Sequence, residues 1–165
     1  MSYWLRSDNE TLVCHAESLL ETNEAGRSLA GRLQPGDVIA LIGDLGAGKT
    51  QFVKGVAEGL EVAAEEVNSP TFTLIQEYPG RILMRHCDTY RLRDAEEFAD
   101  LGLDELFATD GVALIEWADR VEEYLPRDRV IVRITINSPT TRILEISATG
   151  NRSRATLAQL AATVL

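Results

Sequence analysis

Eight consecutive residues carry the clearest chemical potential in this chain: Gly43-Asp44-Leu45-Gly46-Ala47-Gly48-Lys49-Thr50. Their spacing fits G-x-x-x-x-G-K-[ST], the P-loop pattern that binds phosphate groups. Its glycines, Gly43, Gly46 and Gly48, are expected to take positive φ, so that successive backbone N–H groups point at phosphate oxygens. In such a loop the lysine reaches the β- and γ-phosphates of a nucleotide, and the threonine hydroxyl binds Mg²⁺. The run therefore predicts a nucleotide-phosphate site.

The segments on either side of the P-loop, residues 43–50, predict a strand and then a helix. Residues 38–42 are apolar and rich in β-branched side chains, which is typical of a strand buried on both faces. After the loop, Phe52, Val56 and Leu60 follow one another at helical spacing. This strand–loop–helix order is the context that the pattern requires, and it favours a P-loop over an ordinary glycine-rich turn.

Two acidic residues stand at the ends of other predicted strands. Glu116 follows the apolar residues 112–115, and Asp88 follows the more polar residues 82–87. A P-loop nucleotidase needs an acid at the end of a neighbouring strand, to hold Mg²⁺ directly or through water. One carboxylate would support the metal, and the other would orient or deprotonate the attacking water. The residues alone leave the assignment open, and a helix N-cap or a solvated charge is the alternative for each.

The stretch Ser69-Pro70-Thr71 lies after the P-loop helix, where many nucleotidases keep a mobile loop that senses the γ-phosphate. Thr71 would then approach Mg²⁺ or that phosphate. The alternative is a strand start that proline stiffens.

Five further side chains have a chemical and a structural interpretation. Arg91 and Arg120 are candidates to neutralise transition-state charge, although a surface arginine more often pairs with a carboxylate. His15 and His86 lack a set of partners at metal-ligand spacing, so both are interpreted as structural. Trp117 is interpreted as a packing residue, with stacking on a base as the alternative.

The remaining patterns predict the elements that position these residues. Strands are expected at 3–6, 11–16 and 111–115, as a hairpin of 72–78 with 82–86, and as a pair of 129–137 with 142–148. Helices are expected from a Ser18–Glu21 capping box to Leu33, at 51–60, in short pieces over 94–106, and at 118–124. A last helix is expected from a cap at Ser153 or Thr156 to Leu165. Buried strands beside the P-loop and alternating strands elsewhere indicate an α/β, P-loop NTPase-like three-layer fold with a mixed, partly parallel central sheet. We expect one domain, residues 1–165, in which residues 1–17 form a short β-hairpin.

Composition limits the class of protein. The 165 residues are 45% hydrophobic and 25% charged, which is ordinary for a soluble globular chain. No apolar run approaches the ~20 residues of a membrane span, and the N-terminus lacks the features of a secretory signal. The net charge of −10 disfavours tight direct binding to nucleic acid but is compatible with a protein partner that handles it. Cys14 and Cys87 are expected to be free thiols in a reducing cytoplasm.

The identity of the nucleotide can also be addressed from motifs. Small G proteins read guanine through an Asn/Thr-Lys-x-Asp motif, and neither Lys49 nor Lys54 fits it. The chain also contains no Asp-x-x-Gly sequence. ATP is therefore the expected nucleotide.

Five sequence blocks, in this order, resemble the TsaE family, also known as YjeE. They are the P-loop 43–50, Asn68-Ser69-Pro70-Thr71-Phe72-Thr73, His86-Cys87-Asp88-Thr89-Tyr90-Arg91-Leu92, Leu101-Gly102-Leu103-Asp104-Glu105 and Ile115-Glu116-Trp117-Ala118. Glu21-Thr22 with Gly26 and Leu29 is similar to the family's helix before the P-loop. Five blocks in register are far more specific than the P-loop alone.

The resemblance implies a function. TsaE proteins are small bacterial ATPases of tRNA threonylcarbamoyladenosine biosynthesis, with weak hydrolysis in isolation. Their partner is the TsaB–TsaD heterodimer, which ATP binding and hydrolysis would reset or license, and tRNA is met only through that complex.

The resemblance also implies roles for particular residues. Thr50 and Glu116 would be the Mg²⁺ ligands, Asp88 would be needed for hydrolysis together with Lys49, and 69–71 would be a switch loop. The residues implied to bind ATP are Thr22 near the adenine, Asp44, Leu45, Gly46, Ala47, Gly48, Lys49, Thr50, Gln51, Thr71, and Arg142 or its neighbour Thr141 over the base.

Two other functions stay open on sequence grounds. A small-molecule P-loop kinase is the main alternative, with arginines 91, 93, 120, 127 and 129 as a phosphate-handling lid. The acidic stretch after Asp88 offers no obvious second phosphate cradle, which argues against a kinase. A nucleotide-binding module without turnover would differ from an ATPase only in rate.

Overall fold

The computed structural model describes residues 1–7, 10–63, 67 and 74–165. Its elements are β1 (Tyr3–Arg6), β2 (Leu12–Ala16), α1 (Leu19–Ala30), β3 (Val38–Ile42), α2 (Lys49–Gly59), β4 (Ile75–Tyr78), β5 (Leu83–Asp88), α3 (Ala95–Ala99), α4 (Leu103–Leu106), β6 (Gly111–Glu116), 3-10 turns at Ala118–Arg120 and Glu122–Tyr124, β7 (Val130–Ile136), β8 (Arg142–Ala148) and α5 (Asn151–Val164). Within the described ranges, eight strands form one sheet in the order β1-β2-β8-β7-β3-β6-β5-β4.

The centre of the sheet is parallel and its margins are antiparallel. Strand β3 pairs in parallel with both β6 and β7, and β5 pairs in parallel with β6. The β4–β5 hairpin and the β7–β8, β2–β8 and β1–β2 pairs are antiparallel. The prediction of a mixed, partly parallel sheet is confirmed, and the strand before the P-loop lies in the middle of it.

Side chains of β3 alternate between two separate apolar cores. Ile39 and Leu41 belong to the core that α1, α2 and α5 cover. Val38 and Ala40 belong to a second core on the opposite face, which includes Phe98 of α3. Because both faces of the central strand are covered by helices, the fold has three layers, as predicted.

Helices α1 and α2 approach each other until their backbones touch. A Cβ added at Gly55 would lie 1.9 Å from the carbonyl oxygen of Asn23, and one at Gly26 would lie 2.3 Å from that of Phe52. Only glycine allows this separation, so α1 is seated directly against the helix that follows the P-loop. The contact brings the first turn of α1 beside the loop.

The N-terminal cap of α1 differs in part from its prediction. Ser18 Oγ accepts a hydrogen bond from the Glu21 N–H at 3.2 Å, as expected. The Glu21 carboxylate, however, accepts from the N–H of Glu17 at 2.5 Å rather than from Ser18, so the capping box is incomplete. The helix also ends at Ala30, before the predicted Leu33. The turn that follows replaces its last residues and still buries Leu33.

The predictions for two later helices are corrected. Residues 118–124 form two 3-10 turns instead of one continuous short helix. Helix α5 begins with Gly150 at its N-cap, so the predicted caps at Ser153 or Thr156 are wrong. The orphan N–H groups of Arg152 and Ser153 donate to the carboxylate of Asp128, at 2.8 and 2.9 Å. A side chain from a distant loop thus performs the cap.

The first two strands pair with each other and also join the central sheet. Strand β2 pairs with β8, and β1 forms the outer edge. Cys14, in β2, and Cys87, in β5, are buried free thiols, and burial raises the pKa of each to about 12. None of the helices in the described residues has the length and apolar character needed to cross a bilayer.

Candidate functional site

The P-loop connects β3 to α2 and uses its glycines in two ways. Gly46 and Gly48 have φ of 81° and 106°, in the left-handed region, as predicted. Gly43 does not have positive φ, so that prediction is wrong. A Cβ on Gly43 would lie 2.7 Å from the carbonyl oxygen of Ile134 in β7, so this position needs glycine for close packing against the neighbouring strand.

A cavity of about 380 Å³ opens over this loop. Its walls come from the P-loop, the first turns of α1 and α2, and the carboxyl ends of β5 and β6. The lining residues are Leu19, Leu45, Gly46, Gly48, Lys49, Thr50, Gln51, Asp88, Tyr90, Arg91, Glu116 and Trp117. Parallel strands present their carboxyl ends at one edge of a sheet, and that is where ligands bind in open α/β folds. The topology therefore brings the predicted loop and both predicted acids to one place.

Lys49 is folded back over its own loop. Its Nζ donates to the carbonyl oxygens of Gly43 at 2.6 Å and Asp44 at 2.9 Å. The same ammonium lies 4.0 Å from the centre of the Trp117 ring, a cation–π contact. Burial lowers the pKa of Lys49, and the nearby acids oppose that shift. The charge is thus held at the cavity floor by neutral oxygens and an aromatic face.

Glu116 and Thr50 place two oxygens side by side. Glu116, the last residue of β6, is only 2% exposed, and its Oε1 lies 3.4 Å from Thr50 Oγ1. Neighbouring ligands of an octahedral Mg²⁺ are separated by about 3 Å, and Mg²⁺ prefers hard oxygen donors. Among the described residues no cluster of three or more His, Cys, Asp or Glu is arranged as a metal cage. The pair fits a Mg²⁺ that takes its remaining ligands from phosphate oxygens and water.

The other oxygen of Glu116 has a buried partner. His86 Nε2 lies 2.5 Å from Glu116 Oε2, and the imidazole is fully buried. Sequence reasoning interpreted His86 as structural and missed this contact. The only sequence signal was the position of His86 two residues before Asp88, which places both side chains on the same face of one strand.

Asp88 ends β5 at the wall of the cavity. Its Oδ1 accepts a hydrogen bond from the N–H of Tyr90 at 2.9 Å. Burial raises the pKa of Asp88, Glu116 adds to the rise, and the Tyr90 hydrogen bond opposes it. A half-buried carboxylate next to a second acid is suited to accept a proton from, or to orient, a water in the cavity.

Among the described residues, four that are implied to bind the nucleotide do not line the cavity: Thr22, Asp44, Ala47 and Arg142. Thr22 is fully buried, and its methyl group packs 3.6 Å from the position of a Cβ on Gly48. Asp44 is exposed, and its carbonyl accepts from the N–H of Ala47, which is buried. The implied switch loop 69–71, with Thr71, lies outside the described residues.

Arg142 is the fourth, and the structure places it against the backbone of the P-loop. Its guanidinium is buried and donates to the carbonyl oxygens of Ala47 at 2.9 Å and Gly46 at 3.3 Å. Further bonds reach the carbonyls of Ser138 and Thr141. In this arrangement Arg142 supports the loop through its carbonyl oxygens without lining the cavity.

Sequence reasoning did not anticipate the aromatic and apolar part of the lining. Trp117 has φ of 58°, unusual for a bulky residue, and its ring packs 4.9 Å from that of Tyr90. Leu19 opens onto the cavity from the first turn of α1. The signal for Trp117 was its position directly after Glu116. No local pattern indicated Leu19, because its place depends on how α1 packs against α2.

The two candidate arginines, Arg91 and Arg120, have different surroundings in the structure. Arg91 lines the cavity. Arg120 donates instead to the carbonyl oxygens of Thr89 at 3.2 Å and Leu92 at 2.8 Å. Arg120 thus holds the segment after Asp88 in place.

These features define an α/β protein with a P-loop NTPase-like fold. A sequence model of the family "Threonylcarbamoyl adenosine biosynthesis protein TsaE" matches residues 16–144. The chain belongs to the TsaE family, whose members are involved in tRNA threonylcarbamoyladenosine biosynthesis.

Individual relatives agree with the family assignment. The tRNA threonylcarbamoyladenosine biosynthesis protein TsaE of Bacillus subtilis is 48% identical over 133 residues, which cover 80% of this chain and 82% of the relative. The protein of the same name from Treponema pallidum is 40% identical over 81% of this chain and 98% of its own length. The crystal structure of Bacillus subtilis YdiB superimposes with a TM-score of 0.78 at 38% identity, covering 93% of this chain and 95% of that one.

Proposed function

We propose that this protein is an ATPase that binds ATP and Mg²⁺ at the P-loop and acts in tRNA threonylcarbamoyladenosine biosynthesis. Membership of the TsaE family supports the pathway. The observation that carries the ATPase assignment is a single cavity lined by the P-loop, Lys49, Thr50, Asp88 and Glu116. These are the groups that phosphoryl transfer from a nucleotide requires.

The chain's own residues would divide the work as follows. P-loop N–H groups and the N-terminus of α2 hold the phosphates, and Lys49 exchanges its carbonyl partners for β- and γ-phosphate oxygens. Thr50 and Glu116 would hold Mg²⁺, and the metal would neutralise charge on those phosphates when bound. Arg91, at the rim, stabilises charge that develops on the γ-phosphate.

Asp88 would act on the water. Its carboxylate orients a water molecule and accepts a proton as the water oxygen bonds to the γ-phosphorus, while the bond to the bridging oxygen of ADP breaks. The raised pKa of Asp88, caused first by burial, makes it a better proton acceptor than a solvated aspartate. Because Asp88 lines the same cavity as the P-loop, this step would take place inside the cavity.

The partner we propose is the TsaB–TsaD heterodimer in the cytoplasm, with tRNA bound only through that complex. A net charge of −10 supports a protein partner over direct contact with tRNA phosphates. A small-molecule kinase is less well supported. Five arginines are candidates for its phosphate-handling lid, and only Arg91 among residues 91, 93, 120, 127 and 129 lines the cavity. Arg93 and Arg129 pair with Glu97 and Glu122.

The test is a comparison of wild type, Lys49→Ala and Asp88→Asn with purified TsaB–TsaD and tRNA. We expect slow formation of ADP from ATP by the wild type alone. With either variant we expect loss of threonylcarbamoyladenosine formation over repeated turnovers. Radiolabelled γ-phosphate should appear as inorganic phosphate and not on a metabolite. Transfer of the label to a small-molecule acceptor would establish the kinase alternative, and absence of ATP binding would reject the proposal.

A further inference from the structure

The polar side chain of His86 lies in a fully buried position, where apolar residues are more common. It is fully buried on β5, and its register partner on β6 is the apolar Leu114. Its Nδ1 has no hydrogen-bond partner among the described residues. A buried nitrogen without a partner costs free energy, and an apolar residue of similar size would avoid that cost. Within the part of the chain that the structure describes, the hydrogen bond of the His86 side chain is with Glu116.

With that contact, the two oxygens of Glu116 have different partners. Oε2 lies 2.5 Å from His86 Nε2, and Oε1 lies 3.4 Å from Thr50 Oγ1. When Glu116 ligates a metal, its carboxylate is ionised and only accepts hydrogen bonds, and Nε2 is then the donor. With Oε2 fixed deep in the sheet, rotation of the carboxylate is restricted and Oε1 stays at the cavity.

We propose that His86 is a positioning residue for Mg²⁺ binding. By holding Oε2, it presets Oε1 beside the Thr50 hydroxyl, so that two of the metal's protein ligands are in place before the metal arrives. The inference rests on the proposed function, since it assigns Glu116 and Thr50 to the metal. Groups that orient a ligating side chain in this way typically change metal affinity 10–100-fold when removed, so about that range is expected here.

The experiment measures Mn²⁺ binding in the presence of ADP, which is not hydrolysed, by electron paramagnetic resonance of free Mn²⁺. His86→Leu should weaken Mn²⁺ binding to the ADP complex by about 10–100-fold. ADP affinity in EDTA should be unchanged. His86→Gln, which can still donate from a side-chain amide, should restore part of the affinity. A merely structural histidine would change thermal stability without this selective loss of metal affinity.

Two controls make the result specific. Cys87→Ala removes a neighbouring buried side chain that belongs to the opposite core, and it should lower stability without changing Mn²⁺ affinity. In a Glu116→Gln background, replacing His86 should cause no further loss, because His86 acts through that carboxylate. This cycle uses His86→Gln if His86→Leu does not fold.

The possible outcomes are distinct. Wild-type Mn²⁺ affinity in the folded His86→Leu variant, or an undiminished effect of His86→Gln in the Glu116→Gln background, would overturn the positioning role while leaving the proposed function standing. If the wild-type protein itself shows no ADP-dependent Mn²⁺ binding, the proposed function fails first and the positioning role fails with it.

Discussion

Asp88 and Glu116 are register partners at the last positions of two adjacent parallel strands. Neither acid is close to the other in sequence, yet the parallel pairing of β5 with β6 puts both at the edge of the sheet that faces the P-loop. Their environments differ, because Glu116 is held by His86 while Asp88 meets the backbone of Tyr90. Two acids in different settings can take different roles, one toward the metal and one toward water.

Asp88→Asn tests the role assigned to the half-buried member of this pair. The amide keeps the shape of the side chain and can still accept from Tyr90, but it cannot take a proton. We expect ATP hydrolysis to fall about 100-fold or more, with ATP affinity within a factor of about two of wild type. Single-turnover hydrolysis and calorimetric titration with ATP measure the two quantities. Hydrolysis at the wild-type rate would remove Asp88 from the reaction.

Trp117 should report phosphate binding through its fluorescence. The Lys49 ammonium lies 4.0 Å from its ring and must leave the carbonyls of Gly43 and Asp44 to reach a phosphate. In a Trp4→Phe background, where Trp117 is the sole tryptophan, ATP should produce a saturable change in emission. The same titration with adenosine, which lacks phosphates, should leave the emission nearly unchanged. Equal responses to both ligands would show that the lysine does not move off the ring.

Arg142→Leu should weaken nucleotide binding although the side chain does not line the cavity. Its removal leaves the carbonyls of Gly46 and Ala47 without their donors, and an unsatisfied buried polar group costs about 1–3 kcal/mol. If half of that cost appears as loop disorder, ATP affinity falls roughly 2- to 12-fold. Calorimetric titration with ATP measures the loss of affinity, and a thermal melt of the same sample measures the loss of stability.

A matched control exists for this prediction. Arg152 also anchors a loop, since its Nε donates to Asp37 at 2.7 Å, but it lies on α5 and outside the cavity lining. Arg152→Leu should lower thermal stability and leave ATP affinity unchanged. Similar affinity losses in both variants would point to general destabilisation instead of a specific support of the P-loop.

The parts of the site that sequence reasoning anticipated are those encoded over short distances. The P-loop depends on eight consecutive residues with their flanking strand and helix, and Asp88 and Glu116 each follow a predicted strand. The strand–loop–helix order and the two cores of β3 follow from the same local patterns. These features needed no knowledge of which strands pair.

The remaining parts depend on contacts between distant segments. Neither the bond between His86 and Glu116 nor the support of the P-loop by Arg142 has a signature within a window of sequence, because each follows from the sheet order. The prediction of the α5 cap was wrong for the same reason. Ser153 is a good local capping residue, but a carboxylate more than twenty positions away, that of Asp128, supplies the acceptor.

The Asp128 cap makes stability depend on pH in a defined direction. Burial alone would raise the pKa of Asp128, but hydrogen bonds from Ser153 and from the N–H of Arg152 outweigh it and lower the pKa. A lowered carboxyl pKa stabilises the fold above the unfolded-state value of about 4, and the stabilisation is lost as pH falls through the folded-state pKa. Asp128→Ala should therefore cost about 0.5–2 kcal/mol at pH 7.

The measurement compares melting temperatures of wild type and Asp128→Ala between pH 7 and pH 3. The difference should be largest at pH 7 and shrink toward the acid end, because protonation disables the wild-type cap as well. A difference that grows on acidification would show that Asp128 stabilises the fold by some means other than its charged form.

Gly55→Ala tests whether the contact between α1 and α2 is as close as the structure shows. The new Cβ would lie 1.9 Å from the carbonyl oxygen of Asn23, which is backbone and cannot rotate away. We expect a loss of about 3 kcal/mol or more, equivalent to a melting temperature about 6–12 °C lower. ATP affinity should fall as well, because separating the helices moves Leu19 at the cavity wall.

Gly31→Ala is the contrasting variant for that test. Gly31 has ordinary helical φ of −62°, and a Cβ there would meet its nearest neighbour, the Ser28 carbonyl oxygen, at an acceptable 3.6 Å. Replacing it restricts the unfolded chain without strain in the folded one, so stability should rise by about 0.4–1 kcal/mol. Thermal melts of both variants decide the matter, since comparable effects would mean that glycine at 55 serves no close contact between the helices.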